Sequence, residues 1–179
     1  MQQGFIRIGR WLEIVSRLVA GVSLAGMLAV TVGDVTLRYL YRFSDGAMTL
    51  RVAGSVELVS YLMLFALLAA MAANVEKGQV VVEAFSHRLN DTLKTRLNGF
   101  YLLGFAVLGL LVAIGLWDSA VSARDHGEVT QDLRLPMGPI YTVAAGLSLL
   151  LGIRSLVFAV LGFWFNYRVA SVEEIPDGK

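Results

Sequence analysis

No charged residue occurs between Arg17 and Asp34, between Glu57 and Glu76, between Arg96 and Asp118, or between Arg134 and Arg154. Each interval approaches or reaches the roughly 17–25 residues with which an α-helix crosses a bilayer. A helix on a water-facing domain shows a polar side at every turn, whereas these stretches are apolar all round. Four spans are therefore predicted, at about 18–40, 54–75, 97–120 and 136–165. In hydrocarbon only helices and closed barrels satisfy their backbone, and no alternating pattern of about ten residues suggests a barrel. The expected fold class is an all-α integral membrane protein, a small four-helix bundle forming one membrane domain over residues 1–179. The first run could instead be a secretory leader, because basic residues precede it. It is longer than the roughly 7–15-residue apolar core of a leader, and it runs on into Asp34, Arg38 and Tyr39 without a clear small-residue cleavage site.

Composition narrows the function classes. The chain is 56% hydrophobic and 16% charged, against about 25% charged in soluble domains, which argues against a soluble metabolic enzyme. A net charge of +1 offers no electrostatic footprint for nucleic acid. The absence of cysteine excludes disulfides, thiolate metal sites and cysteine nucleophiles. Both histidines, His87 and His126, fall between the predicted spans, whereas a membrane haem needs imidazoles facing each other inside the bundle. There is no phosphate-binding glycine loop and no Ser/His/Asp spacing. No catalytic residue, cofactor or metal ligand is assigned to this chain.

Lys and Arg set the expected orientation. Nine lie on the side of the two termini and the central loop, and five in the opposite loops, with Arg154 inside the last span. The positive-inside rule places both termini in the cytoplasm. Two segments are amphipathic: 1–17, with Arg7, Arg10, Glu13 and Arg17 on one face, and 79–95, with Val82, Phe85, Leu89 and Leu93 on the other side from Glu83, His87, Asp91 and Lys94. Helices of this type lie flat at the headgroups; the alternative is that they extend the spans. Residues 168–179 form a polar tail.

Small residues mark candidate packing faces. Gly21, Ala25, Ala29 and Gly33 form a ladder on the first span, Ala66 and Ala70 lead into Asn74 on the second, and Ala144, Ser148 and Gly152 stand on the fourth. Such ladders let helix backbones approach closely, and the partner can belong to another chain. Charged residues near hydrocarbon are the other candidates. Asp34 and Arg38 share a face and can pair, Glu57 enters the second span close enough to share Arg38, and Arg154 can snorkel from the fourth. They read as interhelical ties and interface anchors, because no acidic residue stands mid-span and no pair of broken half-helices suggests a carrier site.

Taken in order, Asp34, Val35, Arg38 and Tyr39 end the first span, Glu57 and Leu58 open the second, and Glu76, Lys77, Gly78, Gln79 and Val80 close it. Leu135, Pro136, Met137, Gly138 and Tyr141 open the fourth span, which carries Arg154. This arrangement resembles the small membrane subunit of the tripartite ATP-independent periplasmic (TRAP) transporters, the DctQ-like family, over about residues 10–165. The pattern departs from the family where Ala53 and Val56 stand near the usual Trp position and Gln79 replaces a His.

The resemblance implies a scaffold subunit that supports a large permease in sodium-coupled, binding-protein-dependent uptake of an organic acid across the bacterial or archaeal inner membrane. It implies two partners, the large permease subunit and a periplasmic substrate-binding protein, with the sodium ions on the large subunit. Gly21, Ala25, Ala29, Gly33, Asp34, Arg38, Tyr39, Glu57, Gly78, Pro136, Gly138 and Arg154 are then structural or subunit-interface residues. Arg42, Arg51, Asp125 and Glu128 are candidate docking residues for the binding protein, and Phe163, Trp164, Phe165 and Tyr167 an anchor at the inner interface. The alternatives are an autonomous homodimeric four-helix carrier, for which Glu57 is the available carboxylate, and a membrane anchor or assembly subunit of another complex.

Overall fold

The computed structural model describes residues 2–43, 54–75 and 91–165. They form four helices: α1 (Gln2–Phe43), α2 (Ser55–Asn74), α3 (Asp91–Asp125) and α4 (Met137–Phe165). All four are long and apolar enough to cross a membrane. The chain is an all-α multi-pass membrane protein.

The predicted spans lie inside α1 and α3 and match α2 and α4 to within one residue at each end, but the amphipathic N-terminus is not a separate element. It continues into the first span as one 42-residue helix, about 63 Å long at 1.5 Å per residue, which exceeds the roughly 40–45 Å of a bilayer with its headgroups. It also packs on the bundle instead of lying apart from it. Ser16 is fully buried, and a Cβ on Gly9 would stand 3.2 Å from the Phe158 ring. The expected separate helix is thus an extension of α1, and Gly9 lets it sit against the Phe158 ring of α4. Most of the second amphipathic segment, 79–95, lies outside the described residues, and so do Gly78, Arg51, Tyr167 and the tail. Residues 91–95 already belong to α3.

Helix ends are set by local chemistry. Gly127, at φ 64°, ends α3: its N–H donates to the Arg124 carbonyl, and the next N–H, of Glu128, reaches the Ala123 carbonyl at 2.9 Å. This doubly bonded left-handed cap satisfies carbonyls that the helix leaves without partners. At the start of α4, Pro139 falls in the first turn, where its missing N–H costs nothing.

α3 packs chiefly on α4, α1 chiefly on α2, and α2 bridges to α4. The α3–α4 seam is the tightest. A Cβ on Gly109 would lie 2.7 Å from the Gly152 backbone nitrogen and 3.0 Å from the Ser148 carbonyl. Ala106, Ala113, Ala120 and Ala123 of α3 and Ala144 and Ser148 of α4 are buried along the same contact. Between these small residues two backbones come close enough for dispersion to hold them where lipid supplies no hydrophobic drive. Ala72, Val75, Leu102, Leu151, Phe158 and Ala159 from three helices form the main apolar cluster. Large apolar side chains cover the outside, among them Leu18, Val22 and Leu28 on α1 and Leu111, Ile114 and Trp117 on α3. A surface this apolar belongs against lipid or another apolar chain.

Candidate functional site

Two polar nodes lie at opposite ends of the bundle. At one end are the start of α2 and the α3–α4 loop; at the other are the N-terminal half of α1, the end of α2 and the later turns of α4.

The first node is built on Glu57. Its carboxylate accepts three consecutive backbone N–H groups of the α3–α4 loop: Gln131 at 3.1 Å, Asp132 at 3.1 Å and Leu133 at 3.0 Å. A carboxylate holding several N–H donors is a strong, geometrically defined acceptor. The loop it grips is a short hairpin. Val129 and Pro136 pair as an antiparallel bridge, the Thr130 N–H donates to the Leu135 carbonyl, and the Leu135 N–H donates to Thr130 Oγ1. Arg134 takes the left-handed conformation at φ 52° to make the turn.

Gly54, just before α2, lets the loop come so close. Its φ of 67° disfavours any side chain, and a Cβ there would lie 2.5 Å from Leu133 Cγ. Gly138 plays the matching part on α4: a Cβ there would lie 2.6 Å from Arg124 Cγ, and Arg124 runs over it to donate to Thr142 Oγ1 at 2.7 Å. Glu57 therefore does not share Arg38, as its position on the second span had suggested. The loop takes its carboxylate, and Arg38 pairs along its own helix with Asp34 at 2.8 Å.

The second node is built on Arg154, which is completely buried and so does not snorkel. Its Nη1 donates to the carbonyls of Ala72 at 2.6 Å and Ala73 at 2.8 Å. These belong to the last turn of α2, where carbonyls lack intrahelical partners and the helix dipole is negative. Nη2 lies 3.7 Å from Glu13 Oε2, and the guanidinium sits 5.6 Å from the centre of the Phe158 ring. Glu13 also pairs with Arg17 one turn along α1. A buried cation is tolerated only with such compensation. One side chain thus caps α2 from outside and fixes α1 against α4.

The remaining predicted residues separate into used and open positions. Gly21, Ala25 and Ala29 are exposed and Gly33 is half-buried; a Cβ on Gly21 or Gly33 would meet nothing within 4 Å. Among the described residues the ladder has no packing partner. α1 instead turns Ala20, Ser23 and Gly26 inward, with Gly26 against Leu62. Tyr39 and Arg42 are exposed near the end of α1, and Asp125 and Glu128 are exposed at the end of α3. Four contributors were not singled out in the sequence: Glu13, Gly54, Gly109 and Leu133. Glu13 stood in a polar face of arginines that signalled a surface, and the glycines stood among many others. No group of three or more acidic or histidine side chains that could hold a metal is found among the described residues. Chemically, both nodes are suited to holding helices and a loop in place.

Comparison with curated proteins and with solved structures found no match. A family model does match, that of the tripartite ATP-independent periplasmic transporters, DctQ component, over residues 27–163. The matched region includes Glu57, its loop and Arg154, and the chain belongs to the DctQ family, a membrane component of TRAP transporters and not an enzyme family.

Proposed function

We propose that this chain is the scaffold-type small subunit of a TRAP transporter, supporting a large permease in sodium-coupled uptake of an organic acid delivered by a periplasmic binding protein. The observation that supports the reading best is the engagement of Glu57. The carboxylate that a self-sufficient carrier would use binds three backbone N–H groups of the chain's own loop. Sodium and substrate are then handled by the partner large subunit. In this reading the chain lies in the inner membrane with both termini cytoplasmic. The Glu57 node then faces the periplasm, with Arg42, Arg51, Asp125 and Glu128 at the docking side.

Reconstituted transport tests the division of labour. Glu57→Gln keeps one carbonyl acceptor but loses the charge that strengthens all three bonds. Assembly or transport rate falls, and the sodium-to-substrate ratio stays that of the native complex. A changed ratio would place Glu57 in the coupling pathway and overturn the scaffold reading.

A further inference from the structure

The outer face of α1 carries a groove of about 560 Å³ lined by Ile14, Arg17, Leu18, Gly21, Val22 and Ala25. Gly21 and Ala25 form its floor, and a Cβ on Gly21 would meet nothing within 4 Å. Leu18 and Val22 stand out beside it, 63% and 66% exposed. Arg17 lines the end nearer the N-terminus together with Ile14. Arg7, Arg10, Ile14, Arg17, Gly21 and Ala25 recur at three- and four-residue spacing, so the exposed arginines Arg7 and Arg10 continue the face on which the groove lies.

The local charge is unbalanced. Glu13 is the only acidic residue before Asp34, and it is shared between Arg17 and the buried Arg154. Arg7, Arg10 and Arg17 therefore outnumber their carboxylate three to one along α1. A shallow apolar groove with a guanidinium toward one end and further arginines beyond it matches one kind of molecule, with an anionic head and a hydrocarbon tail.

We propose that this groove binds an anionic phospholipid, with its phosphate against Arg17 and Arg10 and one acyl chain along Gly21 and Ala25 between Leu18 and Val22. Guanidinium groups hold phosphate through paired N–H donors, and the small floor residues let the chain lie closer to the helix than ordinary boundary lipid. A transmembrane helix seated here would have to cover Arg17, which favours lipid as the occupant at this depth. The inference rests on membrane residence, not on the transport reading.

The test uses the full-length chain in mild detergent, with retained lipid read by native mass spectrometry. Phosphatidylglycerol and phosphatidylcholine of identical acyl chains are the probes. The native chain retains phosphatidylglycerol more strongly by about fivefold for each arginine engaged. Arg10→Gln with Arg17→Gln brings the two lipids level, and Arg17→Lys keeps the preference. Gly21→Leu weakens both lipids together, leaving their ratio unchanged. Equal retention by the native chain, or a preference that survives loss of both arginines, overturns the proposal. So does displacement of the lipid by inorganic phosphate alone, which would make the site one for a free anion. If Gly21→Leu leaves lipid retention intact but abolishes co-purification of the large subunit, the groove belongs to a helix and the proposal fails.

Discussion

Leu133 and Glu57 are 76 residues apart in sequence, yet the Leu133 N–H donates to Glu57 Oε2 at 3.0 Å while the Leu133 side chain lies over Gly54. The same residue of the α3–α4 loop is therefore held twice by the start of α2, once through its backbone and once by close approach.

Gly54→Ala tests the second hold. The left-handed backbone alone costs a non-glycine residue about 1–2 kcal/mol, and the new Cβ collides with Leu133 Cγ. Thermal unfolding in detergent should drop clearly. Adding Leu133→Ala removes the collision but not the backbone cost, so the double variant recovers part of the loss. Full recovery, or none, would show that only one of the two effects operates.

At the other node, Glu13 and Arg154 should couple. Removing one partner of a fully buried ion pair costs about 3–5 kcal/mol. The 3.7 Å separation and the 24% exposure of the Glu13 side chain reduce that here, to about 1–2 kcal/mol. Glu13→Gln takes this carboxylate away from the buried Arg154 guanidinium, whereas Arg154→Met leaves Glu13 still paired with Arg17. The double variant should lose less than the sum of the singles. Strictly additive losses in a double-mutant cycle would mean that the two charges do not interact.

Ala29 and Gly33 lie beyond the groove on the open side of α1, and a Cβ on Gly33 would meet nothing within 4 Å. Replacing both with Leu should leave the isolated chain as stable as the native one, because no neighbour among the described residues is displaced. Under the scaffold reading, association with the large subunit weakens, since bulky side chains prevent close helix approach. Co-purification decides the point; native-like recovery of the complex would assign this face to lipid.

Asp125 ends α3 and Glu128 leads into the hairpin that Glu57 and the Thr130–Leu135 bonds keep in shape, and both are exposed. Reversing both to Lys should alter the half-saturating concentration of binding protein in transport and leave the membrane complex assembled. Charges of this kind mainly steer encounter and are screened by salt, so the effect should shrink as salt rises. Identical half-saturation for the native and reversed chains at low and moderate salt would remove the hairpin from the docking surface.

The four spans were legible in the sequence because hydrocarbon admits no charge without compensation, so gaps such as 58–75 and 135–153 mark helices by what they lack. The pairing of Asp34 with Arg38 was legible too, since one turn of one helix brings both residues to the same side. Periodicity specifies which residues share a face but not what that face meets. The Gly21–Gly33 ladder and the Ala144–Gly152 row look alike in sequence; only the packing of α3 on α4 buries the second and leaves the first open. The partners of Glu57 and Arg154 were likewise decided by tertiary structure. Each is held by backbone groups distant along the chain, in the loop at 131–133 and at Ala72 and Ala73. A backbone N–H or C=O is the same at every residue, so nothing in the residue types marks which of them a side-chain charge will find.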